Sequence, residues 1–324
     1  MRIFTNPNYN FITWRWHALV LSAAIILGGV ATIVARGGLP LGIDFSGGTA
    51  VVLEFAEPVT IDAVRQSLGP LGDQAVVQQI GAEAEQQVMV RLPLAPGPEQ
   101  QDLMAGESRV EGAVRAADLG EFTVISRDIV GPVVGSDLRR KGIAATLTAL
   151  GGILIYLGFR FRFTFAVGAI VATFHDILVV LVFLTWFGYD VSLNVIAGIL
   201  AIAGYSVNDT IVVFDRVREN QRFNRREPLE ALVNKSVNQT LSRTVITAGT
   251  TFLAVMALFL FGGEVLRGFA FTMLVGVIVG AYSTVFIAAA LAIVFTRPTV
   301  PAQAASAVVR APAARRKVRG SPRV

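Results

Sequence analysis

Of the 324 residues, 53% are hydrophobic and only 16% charged, where a soluble domain carries roughly 25% charged residues. The absence of cysteine excludes disulfides, thiolate metal sites and a cysteine nucleophile. This is the composition of a membrane protein, and the formal net charge of +5 matters less than where the charges lie.

At the N-terminus Arg2 and Arg15 precede an apolar run over 18–35. The run exceeds the roughly 7–15 residues of a signal-peptide core and no A-x-A site follows it, so an uncleaved first span is expected. Five further runs, at 143–159, 163–187, 191–214, 245–263 and 269–295, make six transmembrane helices, since ~20 residues cross a bilayer core. An even number puts both termini on one side. Lys and Arg choose which: two lie in 1–17, two in the 160–162 link, seven in the 215–243 loop and seven from Arg297 onward, against Arg267 alone in the alternate links. Both termini are therefore expected in the cytoplasm. Arg139, Arg140 and Lys141 run against this, but a long domain precedes them, and such domains translocate largely regardless of charge. The 215–243 loop should be helical beside the membrane, with Pro228 opening a second helix. Its charge is read as topology setting and contact with membrane lipids, not nucleic-acid binding. The segment 296–324, rich in Ala, Pro and Arg, should be a disordered basic tail.

Between the first two spans, 36–142 is the one sizeable extramembrane region. Residues 49–55, 75–80, Gln87–Leu92 and Phe122–Val130 read as strands, the middle pair joined through Gly81. A short helix over 60–68 is capped by Thr60, buries Ile61, Val64 and Leu68 and ends at Gly69. A longer one over 99–119 turns Leu103, Val110 and Val114 inward. LAPGP (94–98) is a loop. The order β-α-β-β-α-β predicts an α+β, ferredoxin-like module. Ahead of its first strand stands GIDFSGGT. Gly47 and Gly48 suit positive φ, and the Asp44 carboxylate can accept from nearby amides and fix the turn. A phosphate loop is excluded because no G-K-[ST] follows and no helix is expected to open there. The motif is thus read as structural.

Three spans carry polar groups where lipid would penalise them. In the third, His175 and Asp176 lie near mid-segment, and Asp176 shares a face with Ala169, Thr173 and Val180. His175 points about 100° away and remains a possible partner or relay member. With two histidines in all, zinc is not expected. In the fourth, Gly198, Ala201, Tyr205, Asn208 and Asp209 are expected on one small, polar face, with Ile199, Ile211 and Val213 away from it. An intramembrane acid facing lipid costs at least ~2.5 kcal/mol, so Asp209 must look into a bundle or water and is a functional candidate. Arg243 opens the fifth span, and Thr247, Thr250 and Thr251 continue its face. In an antiparallel pair Asp209 and Arg243 can meet, and a proton arriving at Asp209 then weakens the pair and lets helices repack. The sixth span shows Thr272, Gly276, Gly280, Thr284 and Ala288 at strict four-residue spacing, a packing ridge.

GIDFSGGT, VGPVVGSDLRRKG (130–142), FHDILVV, GYSVNDTIVVFDRVREN, LSRT and FGGEVLRGF, in this order, resemble the SecF members of the SecD/SecF protein-export family, itself similar to the proton-driven RND exporters. The resemblance runs from Asp44 to Phe295. It implies a bacterial inner-membrane subunit that works with SecD beside the SecYEG channel, uses protons to assist preprotein translocation, and needs no cofactor. It implies that Asp209 and Arg243 carry the proton relay, with Asp176 as a further acidic position; His175, Asn208, Tyr205 and Thr247 are expected in support from their places on the spans themselves. Two other readings compete. A proton-coupled exporter of small molecules or lipids would share the fold logic. An intramembrane aspartyl protease would pair Asp176 with Asp209, but its G-x-G-D motif is absent here.

Overall fold

The computed structural model describes residues 7–72, 75–80, 86–92, 103–224 and 226–296. Six helices are long and apolar enough to cross a bilayer. The first, α1 (Arg15–Ala35), follows a short 3-10 turn at Ile12–Trp14. Next come a one-turn helix α2 (Ile43–Ser46), β1 (Gly48–Phe55), α3 (Ile61–Ser67), β2 (Val76–Ile80), β3 (Gln87–Leu92), α4 (Leu103–Ala116) and β4 (Phe122–Val130). The remaining spans are α5 (Pro132–Arg160), α6 (Phe163–Trp186), α7 (Leu193–Phe223), α8 (Leu229–Phe261) and a sixth made of α9 (Gly263–Ser283), a π turn (Thr284–Ala288) and α10 (Ala289–Phe295).

The sheet is antiparallel at every pairing, in the order β2-β3-β1-β4. Val51, Leu53 and Phe55 alternate toward a core shared with Val88 and Val90, Val64 of α3, Leu68 at its C-terminal cap, and Val110 and Val114 of α4. Both helices therefore lie on one face. Thr60 caps α3 by accepting from Ala63 N at 3.3 Å. The join through Gly81, the LAPGP loop, residues 99–102 of the expected longer helix, the side chain of Leu103, and 297–324 lie outside the described residues.

Among the spans, α6, α7 and the sixth form the core, and α1, α5 and α8 lean on it. The four-residue ridge does what small residues do between helices. A Cβ at Gly276 would come within 2.4 Å of Ile202, one at Gly280 within 3.2 Å of Ser206, and one at Gly198 within 2.9 Å of Thr272. Between α1 and α6, a Cβ at Gly29 would meet Val182 at 2.1 Å. Away from the sheet, Phe214 stacks edge-on to Phe165 and Phe161, and Arg160 pairs with Asp215 at 2.6 Å. There too the side-chain oxygens of Asn234 and Asn238 accept from the backbone of Phe11 and Tyr9.

Several boundaries differ from expectation: α7 runs on to Phe223, and α8 is one helix from Leu229 to Phe261 where a loop helix and a separate span from 245 were expected. Helix α5 begins at Pro132, eleven residues ahead of its apolar run, because Pro132 suits the first helical position and a helix once started continues through charged, water-facing turns. A turn of helix also opens at Ile43 inside GIDFSGGT, where none was expected.

Candidate functional site

Helix α6 carries Asp176 into the middle of the core, where it is fully buried. Its Oδ1 faces His175 Nδ1 at 2.9 Å, and its Oδ2 accepts from Ser206 Oγ of α7 at 2.5 Å and Ser283 Oγ of α9 at 2.7 Å. One carboxyl group thus ties three spans together. His175 turns its other ring nitrogen, Nε2, into the interior without a hydrogen-bond partner among the described residues, near the ring of Tyr282. Tyr282 in turn donates to Ala18 O at 2.8 Å, which brings α1 into the same cluster.

Asp209 lies three residues beyond Ser206 on α7 and is 9% exposed. Its Oδ1 accepts from Thr244 Oγ1 of α8 at 2.7 Å, whereas its Oδ2 is buried without a well-aligned hydrogen bond among the described residues, the Thr284 hydroxyl of the π turn being the other group that acts on the carboxylate. The adjoining Thr210 shares a 3.0 Å hydrogen bond with Thr284 of the π turn. Ser283 and Thr284 are consecutive, so that turn touches the surroundings of both acids. An inserted residue of this kind in a helix is a common mark of a functional position.

The face of α7 that packs is rotated from the expected one. Gly198, Ile202, Ser206, Asp209 and Val213 fall within an arc of about 80° at helical spacing, and all five are buried, as is Ile199, while Ile211 is half-buried. Ala201 and Asn208 are exposed and Tyr205 is half-buried. The ridge of the sixth span selects this face, since its glycines receive Ile202 and Ser206. Arg243 does not form an ion pair with Asp209 within 4.0 Å, though its charge still acts on the carboxylate. Arg243 is exposed, and its neighbour Thr244 hydrogen-bonds the carboxylate instead. Residues 243 and 244 point about 100° apart on a helix, so only one of them can face α7. Thr247 is exposed with Arg243 and donates to the Arg243 carbonyl at 2.9 Å.

Asp44 also acts elsewhere than expected. Its Oδ2 accepts from Leu193 N at 2.8 Å, capping the N-terminus of α7 and not its own turn. Gly47 and Gly48 do adopt positive φ, +72° and +131°, and the backbone of α5 closes on them, since a Cβ at Gly135 would lie 3.2 Å from Gly47 N. Next to this cap, Asp190 in the α6–α7 link pairs with Arg91 of β3 and accepts from Gln78 Nε2 at 3.1 Å. Burial pushes the Asp190 carboxyl above its ordinary range, against the pull of Arg91 and Gln78. Sequence reading missed Ser206, Ser283, Thr244 and the Arg91–Asp190 contact. The hydroxyls were visible as polar residues in apolar runs, but which carboxylate each would serve depends on helix rotation.

The SecD/SecF C-terminal family model, described as protein export membrane protein, matches residues 109–297, and the SecD/SecF GG motif matches 33–59. The protein translocase subunit SecF of Rhodothermus marinus is 42% identical over 301 residues, 90% of this chain and 95% of that one. The SecF of Escherichia coli O157:H7 is 37% identical, covering 88% and 87%. The SecDF of Thermus thermophilus is 40% identical over 89% of this chain but only 38% of its own length. Its crystal structure, of a translocon-associated membrane protein, aligns with a TM-score of 0.77 at 37% identity over 90% of this chain. SecDF in a "Super-membrane-facing form" aligns at 0.63, with 38% identity over 95%. The chain spans about two fifths of these solved chains. Family model, full-length relatives and backbone agree: the chain belongs to the SecF family of protein translocase subunits.

Proposed function

We propose that this multi-pass protein is a proton-driven subunit that, joined to SecD, assists preprotein translocation and release at the SecYEG channel of the bacterial inner membrane. The observation that carries the reading is Asp209: a carboxylate buried in a membrane span, with the hydroxyls of Thr244 and Thr284 acting on it and Oδ2 without a well-aligned partner among the described residues, open to a proton. A proton on Oδ2 changes what the carboxyl offers Thr244 and the π turn, and so biases how α7, α8 and the sixth span pack. Asp176, tied to α6, α7 and α9 at once, would sense the same repacking. One charge moved through the membrane potential yields about 2.3 kcal/mol per 100 mV, within the ~1–3 kcal/mol of ordinary coupling between sites.

The exposed polar stripe supports a partner. Asn208, Arg243, Thr247 and Thr250 all lie on the open side of α7 and α8, where bare lipid would penalise them. The SecDF relatives carry additional chain beyond the part matched here, and SecD helices covering this stripe would bring Arg243 and the lipid-averse groups into a bundle interior. With cytoplasmic termini, the sheet domain lies outside, positioned to hold an emerging preprotein. The test is Asp209→Asn, in membranes that also carry SecD. Proton-dependent release of a preprotein should be lost while the subunit still assembles; unchanged release eliminates the relay.

A further inference from the structure

The sheet has α3 and α4 on one face. Its other face looks down on the end of the bundle across a cavity of about 230 Å³. Ala50, Val52 and Met89 line it from above and Tyr189, Asn194 and Val265 from below. This is a void between two bodies, where a packed seam would bury side chains against one another.

The two bodies are joined on both halves of the sheet. On the β1–β4 half the chain passes from bundle to sheet at Gly47–Gly48 and returns at Gly131, and Gly48 pairs with Val130, so both crossings lie side by side. Glycine at positive φ makes the first crossing conformationally permissive. Below it, α2 is fixed to the bundle: Gly42 N reaches Val191 O at 2.9 Å, Val191 N reaches Pro40 O at 2.7 Å, and Phe45 is buried against Val180, Leu184 and Val195. On the other half, β3 and β2 supply Arg91 and Gln78, and both close on Asp190. Arg91, 8% exposed, also donates to Leu41 O at 2.8 Å. Arg91 stands opposite Ala50, one strand from β1, and Gln78 two strands from it, so the clasp lies about 5–10 Å from the β1 crossing at strand spacing.

We propose that the sheet is a hinged lid over the outer end of α7, closed by the Arg91–Asp190–Gln78 clasp and released from it during the working cycle. Among the described residues the side-chain hydrogen bonds and ion pair on this half are polar links to the bundle, two of them to the Asp190 carboxylate and one from Arg91 to Leu41 O, so loss of Arg91 removes two of the three without opening the core under α3 and α4. Helix α7 carries the cap from Asp44 at one end and Asp209 further along. Repacking around Asp209 therefore moves the platform on which both hinge and clasp rest. That last link rests on the export reading; the lid itself does not.

The chain has no cysteine, so single thiols report cleanly. In spheroplasts bearing the full chain with SecD, Val52→Cys beneath the lid should react slowly with a membrane-impermeant maleimide. Adding Arg91→Ala should speed this by ~10-fold or more, as expected when one partner of a buried pair is lost. Val110→Cys, fully buried in the core under α4, should stay unreactive with and without Arg91, which shows that the domain stays folded. Bridging Gln78→Cys to Asp190→Cys with a short reducible bis-thiosulfonate should arrest preprotein release, and reduction should restore it. An unchanged Val52→Cys rate in the Arg91→Ala background overturns the lid, and full activity of the bridged protein overturns its release during the cycle. The labelling result stands whether or not Asp209→Asn affects export.

Discussion

Asp176 of α6 and Asp209 of α7 are linked through Ser206, three residues before Asp209, yet their surroundings assign them different work. Asp176 has both oxygens engaged, by His175, Ser206 and Ser283, which is the pattern of a structural tie. Replacing it with Ala leaves those donors buried and unsatisfied and should cost about 3 kcal/mol or more, read as a lower unfolding temperature in detergent. Asp176→Asn, which keeps an acceptor, should be milder. Asp209 keeps one oxygen without a well-aligned partner among the described residues, so Thr244→Val should disturb its orientation and slow proton-dependent release several-fold with little loss of stability. Both acids were legible in the sequence, because a charge inside an apolar run has few innocent explanations. Their partners were not. Arg243 was the natural mate by charge, but the single step to Thr244 decides which side chain faces α7, and no periodicity within α8 fixes that rotation.

At the scale of elements, the ridge on the sixth span was the most readable feature, since strict four-residue spacing of small side chains permits one kind of contact. Gly276→Val should force α7 and α9 apart at Ile202, costing ~1–3 kcal/mol as overpacking, and should be detected as reduced accumulation and early proteolysis. Gly204→Val, with open space at its Cβ, should be tolerated far better. The same ridge explains why the expected polar face of α7 was rotated: glycine grooves on a neighbour outrank the residue types of the helix itself. Strands were legible from alternation, and β4 in particular runs over the expected Phe122–Val130. The early start of α5 was not, because the residues before its apolar run carry no apolar face to reveal a helix.

For the molecule as a whole, three spans are half-buried and three are largely open to their surroundings, which is more unpaired surface than a self-sufficient bundle leaves on the polar side. Thr247→Leu with Thr250→Leu should lower recovery of SecD on co-purification several-fold, while Ile143→Ala on the apolar side of α5 should leave it unchanged; equal recovery in both would place the partner elsewhere. The central claim is that Oδ2 of Asp209 exchanges protons with the aqueous phases. Its most direct test is proton flux into liposomes holding this chain together with SecD under an imposed gradient. Flux that disappears in Asp209→Asn and persists in Asp44→Asn is the predicted result, and flux undiminished by Asp209→Asn would contradict it.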